Sequence, residues 1–597
     1  MPNHKLSLSF SAACLFACLV LFSAVSFAQT KPEQKPEPSG DAQDVIKFET
    51  SLVQTDVMVF DKKGHFVDGL KPEQFQLKIN NNPREISFFE TVRSGGAAPK
   101  IEEANASQPK SINPLKADAQ RRSVIFFVDD LHLAPDSLSR TRRALLDFID
   151  HRINENDLVA ITSSSGQVGF LQQFTANKDA LRSAVDRLNY RALAKLDMDK
   201  PPMSEYLAMK IRDGDEQALT YYVQELQKEY CIRIRGGVIC NITPQSARQM
   251  VRNRANEIVT ESAPAAADTL RLLEGLMRTA AQLPGRKLVF VISDGFYLTD
   301  RKTGSIDRIR RVTEAAGRAG VVIYTLDARG IVNDTIDITN RNPIDSKGML
   351  VGAGIGEISA SQDGLTALAA DTGGQAFLNT NQPMHEWVEK VIDETSNYYL
   401  LAWKPDNDEQ KRGKFKNIDV SIVGRPDLKV RVRTSYFKSA ALPLLTTKKK
   451  HDKDPAKARE DDMRLVIDAP VTQREIPAEV DLRFTQMPGL GTRLVVTLSI
   501  DDSALTYDLT EGKLSTDVDI GGIVYDDKGK PLDSFVGRLR IFPKSGNTAG
   551  AATQEKRSIY RFSTLVPGGL YQVRVGIRDL KSSRTGSAMD WIKVPKI

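Results

Sequence analysis

Three apolar runs in the middle of this chain each lead into an acid. Val124-Ile125-Phe126-Phe127-Val128 runs into Asp129, Leu288 to Ile292 into Ser293-Asp294, and Val321 to Leu326 into Asp327. Continuous runs of this kind suit strands covered on both faces, as in a parallel sheet. In open parallel sheets, ligands bind just beyond the carboxyl ends of the strands. Carboxylates gathered there without a matching Lys or Arg point to a hard divalent cation. Mg²⁺ takes about six oxygens and keeps several waters, so two carboxylates and a hydroxyl suffice. Asp130 adds a further carboxylate if its loop turns inward.

The elements that must position these acids alternate between strand and helix. Leu138, Leu145, Ile149 and Ile153 recur at helical spacing after Asp129, and Leu181, Val185 and Leu188 do so after the strand Leu158 to Ile161. Leu270, Leu273, Met277 and Ala280 predict a helix leading into Leu288 to Ile292, and a helix around 308–318 leads into Val321 to Leu326. This alternation predicts an α/β domain over 121–397, a doubly wound and mostly parallel sheet with helices on both faces. Two stretches interrupt it, an insertion at 191–262 and a Gly- and Asn-rich loop at 330–360. Loops that long in a compact domain are functional or disordered.

Both flanks read as β. Residues 46–92 alternate as short strands around turns at Asp61-Lys62-Lys63-Gly64 and Asn80-Asn81-Asn82-Pro83, which predicts a small β domain. Residues 398–437 form a β extension, and 462–597 carry many short β runs that predict a β-sandwich. Linkers are expected at 93–120 and at 438–461, the latter with Lys448-Lys449-Lys450.

The full chain has 597 residues, 41% hydrophobic and 26% charged, which exceeds one core and excludes a polytopic membrane protein. At its start, Lys5 precedes an apolar stretch from Ala12 to Val25 that ends in Ser26-Phe27-Ala28. That is the pattern of a cleaved export signal over 1–28, followed by a Pro/Glu/Lys tether over 29–45. The mature chain is therefore expected to be secreted or periplasmic, with no membrane span. Cys14 and Cys18 leave with the signal. Cys231 and Cys240 remain, bracketing two short β-type arms around Gly236-Gly237, and export predicts a structural disulfide between them. The formal charge of +6 is small for this length and gives no nucleic-acid signal.

Val124 to Asp129 with its following helix, Phe174-Thr175, and Val291-Ile292-Ser293-Asp294-Gly295 resemble a von Willebrand factor type A domain. With Val59 to Gly64, Leu368 to Gly374, Tyr398 to Pro405 and Val432 to Tyr436, the span 46–437 is similar to the VWFA-related family of acidobacterial secreted proteins. The resemblance implies a metal-ion-dependent adhesion site. There an Asp-x-Ser-x-Ser loop, a Thr and a distant Asp hold Mg²⁺ by oxygen, and an acidic partner group completes the sphere. Carried over, Asp129 is the first Asp, Thr175 the Thr and Asp294 the distant Asp. Leu131 and Leu133 stand where both Ser should be, and His132 is a poor Mg²⁺ ligand. The expectation is thus a degenerate site on Asp129, Asp130, Thr175 and Asp294, holding Mg²⁺ or another divalent cation. The alternative is acids that serve as scaffold.

Catalytic motifs are lacking. Gly352-Ala353-Gly354-Ile355-Gly356 is followed by Glu357, so it is no dinucleotide fingerprint, and the histidines are too scattered for a zinc or Ser-His-Asp site. An aspartyl phosphohydrolase would need a second acid at position 131, which is Leu. These readings converge on an exported, non-enzymatic protein of binding or adhesion type, engaging a protein partner or an envelope or matrix component. A metal-free envelope scaffold is the other outcome.

Overall fold

Val53–Phe60 (β1) and Phe75–Ile79 (β2) are the first strands, and Phe75, Leu77 and Ile79 turn inward at every second position. Asn82–Arg84 (β3) and Phe88–Arg93 (β4) follow. The turn between β2 and β3 uses Asn80 and Asn81 at positive φ, 48° and 66°, a conformation that asparagine tolerates. The structure is a computed structural model that describes residues 53–93, 122–153, 157–168, 174–190, 202–235, 237–283, 285–298, 305–331, 349–350, 353–405, 416–432, 435–436, 461, 463–469, 472–487, 489, 491–510, 513–542 and 557–595. The expected signal and tether lie outside the described residues, as does nearly all of the expected linkers.

The middle of the chain builds a five-stranded parallel sheet. Its elements are Arg122–Val128 (β5), Pro135–His151 (α1), Asp157–Ser163 (β6) and Lys178–Asp186 (α2). Glu205–Arg212 (α3), Glu216–Tyr230 (α4), a hairpin of Cys231–Ile234 (β7) and Gly237–Cys240 (β8), and Pro244–Ala280 (α5) come next. Arg286–Ser293 (β9), Ser305–Ala319 (α6), Val321–Asp327 (β10), Ala353–Thr372 (α7), Ala376–Phe377 (β11) and Met384–Ser396 (α8) complete it. The sheet order is β11-β10-β9-β5-β6. Every residue of β5 is buried, which is why its sequence shows no alternation.

Helices cover both faces. Val124, Phe126 and Val128 pack with α1, α2 and α8, whereas Ile125 and Phe127 pack with α5, α6 and α7. Helix α5 serves two cores. Its later residues Leu270, Leu273 and Met277 lie on the sheet, and its earlier residues Val251, Ala255 and Val259 pack with α3 and α4. The expected insertion at 191–262 is therefore a helical annex built on a helix that the sequence reading began only near Leu270. The expected loop at 330–360 ends earlier, since α7 already begins at Ala353.

Two segments read from sequence as separate β domains form one unit. Asn397–Trp403 (β12) continues directly from α8, and Lys416–Ile422 (β13), Lys429–Val432 (β14) and Ser435–Tyr436 (β15) follow. They pair with the first strands in sheets β14-β1-β12-β4 and β15-β13-β2-β3 around Val57, Leu77, Tyr399, Trp403 and Val420. The pairing partners lie more than 300 residues apart, beyond any local pattern. The α/β unit is thus inserted into the β unit.

The last segment forms antiparallel sheets around one core that includes Ile476, Leu498, Val518, Val573 and Ile577. Ala478–Met487 (β16) and Gly491–Asp501 (β17) are followed by Asp508–Thr510 (β18), Lys513–Asp526 (β19) and Pro531–Ile541 (β20). Arg557–Val566 (β21), Gly569–Asp579 (β22) and Thr585–Val594 (β23) end it. The orders are β16-β17-β21 and β18-β19-β22-β23, with β20 on β19. Among the described residues no helix is long and apolar enough to cross a membrane.

Candidate functional site

Strands β5 and β9 lie side by side, yet the helices that follow them, α1 and α6, go to opposite faces. Chain reversal of this kind opens a crevice at the carboxyl ends of the two strands. Asp129 and Asp294 emerge there, as the sequence predicted, with Asp130 and Asp327 close by in the fold. The amino ends of the sheet are closed instead by a buried ion pair, Arg122 to Asp157 at 2.6 Å.

Each acid at the rim already has partners from its own chain. Asp129 is wholly buried. Its Oδ1 accepts from the Thr269 hydroxyl at 2.9 Å, and its Oδ2 from the Ser293 hydroxyl and His132 Nδ1, both at 2.8 Å. Asp130 faces the loop after β6, where it accepts from Ser164 Oγ at 3.0 Å, Ser165 N at 2.8 Å, the Ser165 hydroxyl and Gln167 Nε2 at 2.8 Å. Asp327 accepts both arms of the Arg329 guanidinium, at 2.9 and 2.6 Å, and Gln362 Nε2 at 2.7 Å. Asp294 Oδ2 accepts from Ala134 N at 2.8 Å, but its buried Oδ1 has no hydrogen-bond partner.

Thr175 is not at this rim. It bridges Val159 through two backbone hydrogen bonds, 3.1 and 3.0 Å, near the amino end of β6. Val159 lies opposite Val124, five positions before Asp129, which is roughly 16 Å along the strand. Its hydroxyl accepts from Asn177 N at 3.0 Å and so helps start α2. Of the expected Asp129, Asp130, Thr175 and Asp294, the fold brings Asp129 and Asp294 together at the rim, turns Asp130 to the Ser164, Ser165 and Gln167 donors, and sets Thr175 apart. A divalent ion wants about six oxygens, and Asp294 Oδ1 is the one carboxylate oxygen of these residues left without a partner. Among the described residues no three His, Cys, Asp or Glu side chains are arranged to hold a metal ion.

A second layer of ionisable groups roofs the rim. Burial alone would raise the Asp129 carboxyl, but the His132 charge and hydrogen bonds hold it below the ordinary range. Burial would likewise lower His132, yet Asp129, then Glu205 and Asp294, raise it, which favours the charged pair. The His132 ring lies 5.8 Å from that of Phe296. Asp294 is pushed up to about 6, chiefly by burial and further by Asp327. Glu205, in the first turn of α3, and Glu357 on α7 are also raised by burial. Glu357 accepts from the Tyr297 hydroxyl at 3.2 Å and from Ser204 Oγ at 3.3 Å. The annex therefore closes over the rim and ties it to α7.

Sequence reasoning found Asp129, Asp294 and Asp327 but missed Thr269, Glu205 and Glu357. Thr269 carried one faint signal, a hydroxyl beside the apolar stripe of α5. The pairing of Cys231 with Cys240 is as expected, with Cα atoms 4.0 Å apart across the β7–β8 hairpin. That hairpin exposes Ile232 and Ile239 as a cross-strand pair.

No protein-family model matches the chain, and no curated protein matches it. Among solved structures, a part of the chain is similar to a Bacteroides uniformis beta-glucuronidase at 11% identity, covering 20% of this chain and 14% of that one, with a TM-score of 0.14. Another is the structural-genomics target SoR45, at 15% identity over 21% of this chain and 90% of that one, with a TM-score of 0.12. The chain thus spans only 14% of the glucuronidase.

Proposed function

We propose that this chain is an exported, non-enzymatic binding protein with a doubly wound, type A-like central domain. The position of the adhesion site is filled by an internal hydrogen-bond network instead of a divalent ion. The observation that carries this is the surroundings of Asp129. The Thr269 and Ser293 hydroxyls donate into that carboxylate, and His132 takes its remaining direction. Strand order and helices on both faces support the type A-like reading. A protein or an envelope or matrix component is the partner class, engaged by the annex of α3, α4, α5 and the stapled hairpin. The hairpin disulfide fits an oxidising compartment.

Titration with Mg²⁺, Mn²⁺ and Ca²⁺, read by calorimetry and by melting temperature, tests the metal-free network. No heat and no shift are expected. A rise in melting temperature that disappears in Asp294→Ala restores the metal-dependent reading. Capture of a partner from the envelope fraction should be equal with and without EDTA.

A further inference from the structure

Beside the acid rim, with Asp327 and Arg329 in its wall, a cavity of about 570 Å³ opens beyond the carboxyl ends of β10 and β11, between α1 and the start of α8. That volume lies within the range of small-molecule sites. Its charge is lopsided. Arg140 and Arg143 of α1 both line it. Arg140 is held in place by the Ala328 carbonyl at 3.0 Å and by Ser137 Oγ at 3.0 Å, neither of them a charged partner. Arg143 is exposed, and among the described residues it has no carboxylate partner. Of the two aspartates in the wall, Asp327 is paired with Arg329, and Asp147 is half-exposed, with His151 Nδ1 3.2 Å from its carboxylate.

Part of the opposite wall is apolar, with its two rings tilted by 37°. Phe377 and Trp387 lie with ring centroids 4.4 Å apart, and Met384 also lines the space. Trp387 Nε1 is buried with no hydrogen-bond partner, and Thr380, Asn381 and Gln382 add polar groups to this wall. Helix α8 starts here with Pro383 and no side-chain cap, so its amino end adds positive potential. His385, in the first turn of α8, lines the same space.

We propose that this cavity binds a small organic oxyanion carried on an apolar body. Arg140 and Arg143 hold the anion, because guanidinium forks match carboxylate and phosphate oxygens. Phe377, Met384 and Trp387 take the body. The site is separate from the Asp129 network and does not depend on how that network is read.

Benzoate and phenyl phosphate are the probes, with benzyl alcohol as the uncharged control, titrated into the full chain by calorimetry and by tryptophan fluorescence. The chain has three tryptophans, and Trp403 and Trp591 are buried, so Trp387 is the reporter. At least one anion is expected to bind and change the fluorescence, and its advantage over the other distinguishes carboxylate from phosphate. Arg143→Gln, an exposed change that leaves the melting temperature alone, should weaken binding about tenfold. Trp387→Phe should remove the fluorescence change while heat of binding persists. The proposal is overturned if neither anion binds at millimolar concentration, if benzyl alcohol binds as well as the anions, or if Arg143→Gln leaves affinity unchanged.

Discussion

Asp294 and Asp129 show how two acids in one crevice are treated in opposite ways. Burial, stronger than the opposing pull of Arg329, raises Asp294 to about 6 from 3.8. A raised carboxyl binds its proton more tightly when folded, so its contribution to stability falls as pH rises from 3.8 to about 6. Asp294→Asn keeps an acceptor for Ala134 N and removes the buried charge. At pH 7 it should stabilise the chain by about 1–2 kcal/mol after the cost of a poorly paired amide, and by little at pH 4, as urea unfolding at both pH values would report. Within the pair of Asp129 and His132 the two partners carry opposite signs. His132 is raised, so its stabilisation is complete below 6.5 and lost as pH climbs through its folded value. Asp129 is lowered, so its share is present above 3.8 and lost as pH falls through its folded value. Melting temperatures from pH 6 to 9 should therefore decline, and the decline should flatten in His132→Gln. Asp129→Ala would leave an uncompensated histidine and orphaned hydroxyls, a loss of about 3–5 kcal/mol by denaturant titration.

Between β9 and α7, close backbone approach sets the geometry of the rim. Gly295 has φ of +87°, and a Cβ there would lie 2.4 Å from the Ser361 carbonyl oxygen. Gly295→Ala should cost roughly 2–4 kcal/mol and shift Asp294, visible as a change in its carboxyl titration by NMR. The β7–β8 hairpin behaves differently, because it exposes Ile232 and Ile239. Loop closure over so short a segment limits the disulfide to about 3 kcal/mol. Replacing Cys231 and Cys240 by Ser should speed hydrogen exchange in the hairpin and the end of α4. The amides of β5 and β9 should stay protected.

The whole molecule is organised by pairings that no local stretch announces. β12 lies between β1 and β4, and β13 lies against β2, so the ends of the 53–436 span close on each other around the α/β unit. A chain lacking 53–93 should lose this unit, with proteolysis through β12 to β15 and a red shift from buried Trp403, while the C-terminal sheets keep their own core. The sequence by itself determined the α/β alternation, the buried strands, the position of Asp129 and Asp294 and the cysteine pair, because those are written in apolar periodicity and short-range spacing. It left open whom each acid would meet. Thr269 is 140 residues from Asp129, and Glu205 reaches His132 from the annex. Thr175 shows the same limit, since its hydroxyl is spent on the start of α2 at the other end of β6. Hydrogen bonds and desolvation act over a few ångströms in space, and only the folded chain decides which distant residues come that close.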